Sequence, residues 1–493
     1  MSRPVRDRLE WLFRGHEQLD LTSGSIGKPL FFLSLPIVVT NLLQTAYNLA
    51  DTFWLGQYST EALAAISFAF PQVFLLIALG MGLSIAGSVL VAQHTGAGEE
   101  ADARYAAAQT LSFSLLFALV LGGLAFFVVE DTLALLGASP TVLSGATRYM
   151  RVITLGLVFM FGFLVFTALL RGYGDTRTPM LVMFGSVALN IALDPVLIFG
   201  WGPVPEYGIQ GAAIATVVCR ALALAVGIGL MLSGRHDLRI RLGDMIPDRA
   251  YVRRLIRVGA PASVEMTGTA VSVNLLMVVV GLFSTTVVAG FGISFRVFTV
   301  FFLPAVAVGR GVETMTGQNV GAGKPDRAAT AAGFAAKVTF VVLLGLGLLA
   351  WIWARPIIGL FTTDPAVVDV GVAFTHYVAP TFGFIGVWRS YTGSFRGAGK
   401  TLTAAAITIV MLGVVRISGA YVGAVTIGTT GIWIGFAASN VVGGLLAYAW
   451  YQRGTWRTDS LASRGSARGS GSGATDADAG PADVDAAVET VDD

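Results

Sequence analysis

Charge is what this 493-residue chain has least of: only 13% of its residues are Asp, Glu, Lys or Arg, where a soluble domain carries about a quarter. A water-facing surface for a chain of this length cannot be built from so few charges. Cysteine is nearly absent. Cys219 stands alone in an apolar run, which excludes an internal disulfide and leaves a residue that simply packs. The four histidines, His16, His94, His236 and His376, are scattered without metal-ligand spacing. No HExxH, Asp-rich metal box or GxSxG occurs. Covalent catalysis has no evident home, and no enzyme is expected.

What is present points to lipid. Hydrophobic residues make up 55% of the chain, mean hydropathy is +0.73, and there are 60 glycines. Glycine is tolerated in membrane helices and lets them approach closely. Between Pro29 and Tyr451 twelve apolar stretches reach spanning length: 29–54, 62–91, 105–129, 142–170, 179–200, 209–233, 256–284, 287–310, 331–353, 367–395, 401–424 and 430–451. Pro36, Pro71, Pro261 and Pro304 lie inside spans and suggest bent helices supported by their neighbours.

The ends differ from the middle. Residues 1–28 are Arg-rich and amphipathic, with Val5, Leu9, Leu12 and Phe13 at helical spacing, and are expected to form a short helix on the membrane surface rather than a cleavable signal peptide. Residues 458–493 are rich in Ser, Gly, Ala and Asp, and are expected to be a disordered acidic tail. The domain reading is therefore a cytoplasmic amphipathic segment (1–28), a six-helix bundle (29–240), a cytoplasmic linker (241–255), a second six-helix bundle (256–453) and the tail. Placing both termini in the cytoplasm of a plasma-membrane protein leaves only Arg148, Arg151 and Arg355 in outer loops, which satisfies the positive-inside rule.

A shift of 225 residues aligns the chain with itself. Gln93, Gly96, Ala97 and Gly98 fall on Gln318, Gly321, Ala322 and Gly323; Arg171, Gly172 and Gly174 fall on Arg396, Gly397 and Gly399; Pro36 falls on Pro261. Three separated matches at one offset imply a duplication with six spans in each half. An even number keeps the halves in the same orientation, as parallel repeats about an axis normal to the membrane. The expected fold is an all-α integral membrane protein, two parallel six-helix bundles around a central cavity. That is an alternating-access transporter architecture.

The motifs resemble one family. Tyr47-Asn48-Leu49-Ala50-Asp51-Thr52-Phe53-Trp54 resembles the first-helix signature of multidrug and toxic compound extrusion (MATE) exporters. Gln93 to Gly98 followed by Asp102-Ala103-Arg104 is similar to the family's second inner loop, and Arg171 to Pro179 with Asn190 to Pro195 is similar to its fourth-to-fifth helix region. The resemblance covers roughly residues 25–455 and implies export of drugs, dyes or organic cations in exchange for Na⁺ or H⁺, with no organic cofactor, no nucleic-acid partner and a monomeric chain in lipid. Gly397-Ala398-Gly399-Lys400-Thr401 is no phosphate loop, because the first glycine of that motif is replaced by Ser394 and no strand precedes it.

An acid at bilayer depth is costly, roughly 2.5 to 3.5 kcal/mol, and by default functional. Asp51, Asp194 and Glu265 lie within spans, with Glu313 near an inner end. Asp51, Asp194 and Thr216 fall at one level, about 10 Å below the outer surface at 1.5 Å per residue. Tyr47 shares a face with Asp51, Gln44 lies a turn further down, and Asn190 shares a face with Asp194. Such oxygens suit Na⁺, and a carboxylate pair suits a proton. The resemblance implies that Asp51, Asn190, Asp194 and Thr216 form a cation site, with Tyr47 beside it. Gln44, Tyr47 and Pro36 are expected to support the cavity and its coupling, and Glu265 is a secondary candidate. The shift of 225 takes Asp51, Asn190 and Asp194 to Leu276, Val415 and Gly419. Scaffold positions recur in both halves and the acids do not, which favours function over scaffold. Arg220, one turn from Thr216, either pairs with Asp194 or snorkels away. A lipid-linked sugar or polysaccharide flippase of the same superfamily is the rival reading; it calls for cations in the cavity, and the paired acids argue for cationic or neutral cargo.

Overall fold

The computed structural model describes residues 20–137, 139–233 and 238–457. The greater part of the expected surface helix (1–19) and the acidic tail (458–493) lie outside the described residues. Among those described, the chain is helical and without strands. In hydrocarbon every backbone N–H and C=O must be satisfied within the span, and the helix does that.

Seven helices precede the middle of the chain: α1 (Gly27–Tyr58), α2 (Thr60–Gly96), α3 (Glu100–Leu135), α4 (Pro140–Leu155), α5 (Leu157–Tyr173), α6 (Arg177–Phe199) and α7 (Ile209–Leu232). Nine follow: α8 (Arg249–Val280), α9 (Thr285–Gly321), α10 (Pro325–Ile352), α11 (Ala354–Gly359), α12 (Pro365–Val378), α13 (Phe382–Gly397), α14 (Thr401–Ile409), α15 (Ser418–Ile427) and α16 (Thr429–Gln452). A 3₁₀ turn joins α12 to α13, and a π-helical stretch, Val410–Ile417, joins α14 to α15. Counting α4 with α5 as one bent span, the helices long and apolar enough to cross a membrane number twelve among the described residues. Side-chain caps fix some of the starts. Ser59 accepts the Ala62 N–H at 3.0 Å and turns α1 into α2; Asp248 accepts the Ala250 N–H at 2.9 Å and starts α8 at Arg249, inside the expected linker.

A sharp break occurs away from the prolines. The helices holding Pro36, Pro71, Pro261 and Pro304 each run unbroken, whereas the expected single span 142–170 is two helices meeting at 54° around Gly156. Gly156 also marks a close approach: a Cβ there would lie 2.1 Å from Val217 Cγ2 of α7. Neighbouring helices re-satisfy what a proline frees.

The spans form two six-span bundles in the same orientation, α1–α7 and α8–α16. Exposed apolar side chains such as Phe127, Leu135, Val278 and Leu360 face outward, as lipid contact requires. The bundles meet where α2 packs on α8 and α9, and α1 on α9. At the basic face, the side bearing the Arg-rich 239–254 region, this meeting is two-fold in character. A Cβ on Gly96 would lie 1.9 Å from the Gln318 carbonyl oxygen, and a Cβ on Gly321 would lie 1.9 Å from that of Gln93. Both glycines and both glutamines are partners under the 225-residue shift.

A strap ties the chain's beginning to the second bundle. Asp20 accepts from the Thr22 and Ser23 N–H groups at 2.8 and 3.0 Å. The Ser23 hydroxyl above all, with the Thr22 N–H, holds its carboxyl down at about 2. Arg327 at the start of α10 then donates to the carbonyls of Leu21, Ser23, Gly24 and Ser25. Asn319 adds a bond to Leu21 at 2.9 Å and Lys324 one to Thr22 at 3.0 Å. Leu21 is 1% exposed, so the strap is seated in the protein rather than lying on it.

Candidate functional site

In the first bundle α1 and α6 pack together, α7 packs on α6, and α1 touches α7. Asp51 comes from α1, Asn190 and Asp194 from α6, and Thr216 from α7; all are buried, Asn190 and Asp194 completely. The i, i+4 spacing on α6 lets Asn190 donate to Asp194 Oδ1 at 3.0 Å. Tyr47 is buried beside them, and Asp51 and Asp194 lie within electrostatic reach of each other, of Tyr149 on α4 and of Arg220 on α7. Five buried oxygens of this group, Tyr47 Oη, Asp51 Oδ1, Asn190 Oδ1, Asp194 Oδ2 and Thr216 Oγ1, meet no ideal hydrogen-bond geometry among the described residues, although Asp51 lies within reach of Asp194 and Thr216, and Tyr47 within reach of Thr216. Buried polar atoms are ordinarily well satisfied. Five such oxygens converging from three helices, two of them from carboxylates, form a donor set with the chemistry of a hard-cation or proton site.

Arg220 resolves differently from both sequence alternatives. It forms no ion pair with Asp51 or Asp194 among the described residues, and it is 6% exposed. Its Nη2 donates to Gln44 Oε1 at 2.8 Å and its Nη1 reaches Met183 Sδ at 3.1 Å. The guanidinium lies 4.7 Å from the Tyr47 ring centre and 5.2 Å from that of Phe163. Rings and thioether replace water around the cation. Gln44 therefore holds Arg220, and also donates to Asn48 at 3.1 Å. Pro36, buried in the lower part of α1, leaves one backbone donor missing there without breaking the helix.

Glu265 belongs to another network. It is fully buried on α8, accepts from Arg396 Nη1 at 2.8 Å and from Thr408 at 3.1 Å, and has no place among the five oxygens. Arg396 on α13 also bonds Glu313 of α9 through Nε at 2.9 Å, and Arg310 reaches Glu313 at 3.1 Å. Neither Glu313 nor Glu265 has a counterpart acid at the 225-residue shift, where Ser88 and Thr40 stand. His94 is less isolated than its sequence spacing suggested, since Nδ1 lies 2.7 Å from Glu99 with Asp102 close by; this group sits where α2 ends and α3 begins.

Two glutamines close the basic face. Gln93 donates to the Gly397 carbonyl at 2.9 Å, and Gln318 donates to those of Gly172 and Tyr173, each at 3.1 Å. Sequence reasoning singled these residues out as landmarks of the repeat, and missed that they bond across it.

Comparison with known proteins bears on all of this. The MatE family model matches residues 36–196 and again 261–422. The two matches begin at Pro36 and Pro261, the pair that the internal shift superimposes. The chain is 29% identical to the FAD transporter of Shewanella oneidensis over 88% of its own length and 96% of that protein's. It is 28% identical to the probable multidrug resistance protein NorM of Thermotoga maritima, over 89% and 95%. Among solved structures, one described as the outward-facing conformation of a multidrug resistance MATE family transporter superimposes with a TM-score of 0.83 at 25% identity, covering 91% of this chain and 100% of that one. Twelve spans, a duplicated architecture and a family model that matches once in each half make the chain a multi-pass membrane transporter of the MATE family, and not an enzyme.

Proposed function

We propose that this transporter is a secondary active exporter of small organic molecules, cationic or amphipathic drugs and dyes among them, and that Na⁺ or H⁺ held by Asp51, Asn190, Asp194 and Thr216 drives it. The observation that carries the reading is the convergence of five buried oxygens, two of them from carboxylates, in the first bundle. Their local charge supports it further. Two carboxylates and one guanidinium leave a single net negative charge when the acids are ionised, which one monovalent cation balances. Desolvated acids cannot comfortably stay charged without a counterion. Relatives named for multidrug resistance support the cargo class.

The coupling follows from this balance. With the face opposite the basic one open, a cation neutralises the pair; α1, which carries Asp51 and lacks a backbone donor at Pro36, then adjusts, and cationic cargo loses its electrostatic anchor. Alternating access of two rocking bundles delivers the cargo outward. The basic face is cytoplasmic in this reading, with both termini inside the plasma membrane. A lipid-flippase reading gains nothing from the acid pair, which would repel a pyrophosphate.

Dye efflux from vesicles under separately imposed Na⁺ and pH gradients tests the proposal. One gradient should drive uptake into inside-out vesicles and its collapse should stop it. Transport indifferent to both gradients would refute an ion-driven exporter.

A further inference from the structure

The second bundle buries two arginines that form no direct ion pair, although Glu265 lies within electrostatic range of Arg389. Arg389 on α13 and Arg416 in the π-helical stretch are 8% and 7% exposed, and neither forms an ion pair among the described residues. Arg416 donates through Nε to Ser439 at 2.8 Å and through Nη2 to Asn440 at 2.7 Å, with its guanidinium 3.9 Å from the centre of the Phe436 ring. Arg389 makes no hydrogen bond to the protein. Its guanidinium lies 4.2 Å from the Trp388 ring centre and 4.7 Å from that of Phe302. Of its nitrogens Nε alone is enclosed without an acceptor, so the outer two reach accessible surface. A desolvated guanidinium without hydrogen-bonded counter-charge is unfavourable.

These cations flank one aromatic wall. Along α9 the rings of Phe291, Phe295, Phe298 and Phe302 stack in sequence, with centres 5.5, 5.8 and 5.8 Å apart and planes within 29° of parallel. Phe302 passes the row on to Trp388 at 6.3 Å, beside Arg389. Phe298 meets Phe436, the ring beneath Arg416, edge-on at 5.2 Å. The rings alone would make this a solvating cage for two structural cations. Against that, aromatic faces accept few of the five N–H donors of a guanidinium, and π-helical turns such as the one that carries Arg416 are frequent at functional sites. The repeat adds a control: the counterparts of Arg389 and Arg416 in the first bundle are Leu164 and Ile191, so the shared scaffold does not need cations there.

We propose that this bundle binds the anionic oxygens, phosphate or carboxylate, of a planar aromatic ligand, with the oxygens at Arg389 and Arg416 and the ring against Phe302, the half-buried member of the row. Bidentate donors suit such groups. The site is distinct from the oxygen cluster of the first bundle and stands whether or not that cluster holds the coupling ion.

Riboflavin and its 5′-phosphate, FMN, share one fluorescent ring and differ in the phosphate, so they separate ring from charge. Titrated into either flavin, the purified full-length chain in lipid nanodiscs should quench FMN saturably and bind riboflavin at least about tenfold more weakly. Arg389→Gln and Arg416→Gln should each abolish that preference, and Arg389→Lys should keep part of it. Displacement of FMN by 1-naphthoate would extend the class to carboxylates; its failure would restrict the class to phosphates. Equal binding of riboflavin and FMN by the parent chain, which needs no variant to fold, would overturn the proposal. So would parental FMN affinity in both Gln variants, or displacement of FMN by glycerol phosphate as effectively as by FMN itself, since the ring would then be irrelevant.

Discussion

Gln93 of the first bundle donates its side-chain N–H to the carbonyl of Gly397 in the second, 304 residues away. Under the internal shift Gln93 becomes Gln318 and Gly397 comes from Gly172, and the Gln318 to Gly172 bond is present too. The basic face is thus shut by one contact made twice, around an approximate two-fold axis that runs between Gly96 and Gly321. An interface built this way opens as a unit, because what loosens one copy of the contact strains the other.

This gives the first prediction. In Gln93→Ala with Gln318→Ala each change removes a buried donor and strands a backbone carbonyl, costing about 1–3 kcal/mol per site. Ala92, fully buried and facing Gly317, is the reporter. In a Cys219→Ala background, labelling of Ala92→Cys by a water-soluble maleimide should accelerate by about tenfold or more in the double variant. Unchanged labelling would mean that the glutamines do not hold the face shut.

Asp51→Asn keeps shape and removes charge, after which Asp194 alone balances Arg220 and the site no longer calls for a cation. Gradient-driven dye accumulation should be abolished with protein level near parental, and Asp194→Asn should behave alike. Leu276→Asn, at the equivalent place in the second bundle, should be mild. Dye accumulation by Asp51→Asn vesicles at the parental rate would move the coupling site elsewhere, with Glu265 the next residue to test.

The buried network predicts an asymmetry between partners. Arg396→Met leaves Glu265 and Glu313 without their shared cation at sites 0% and 1% exposed, a loss of about 3–5 kcal/mol by the usual cost of breaking such a pair. Glu265→Gln retains an oxygen for Arg396 and Thr408 and should cost about half as much or less. Thermal unfolding of the two purified variants should rank them in that order.

Topology is checked from outside the cell. A tag placed after Asp493 should survive protease added to intact cells and be cut after lysis, while a site inserted next to Arg355 should be cut in intact cells. Cleavage of the terminal tag without lysis would invert the orientation.

Much of this was legible in the chain because it depends on short spacing. Spanning length and the 225-residue offset need only a linear reading, and Asn190 with Asp194, or Tyr47 with Asp51, share a face by helical geometry alone. Depth counted from the helix ends placed Asp51, Asp194 and Thr216 at one level. What escaped depends on contacts between distant residues. The break at Gly156 lies against Val217 on another helix. Arg220 finds its acceptor in Gln44, 176 residues earlier, and Glu265 finds Arg396, 131 residues later. No local rule reports these.

The strap at Leu21 to Ser25 has a mechanical consequence. One end of α1 is bound through Arg327, Asn319 and Lys324 to the ends of α9 and α10, while the other end carries Asp51. The helix is anchored to one bundle at one end and carries Asp51 into the other. Were the charge state at Asp51 to tilt it, as the proposed coupling requires, the tilt would reach the Arg327 clasp near Gln318. Loosening that clasp, as Arg327→Ala would, should leave cation binding in place and disconnect it from the opening of the basic face.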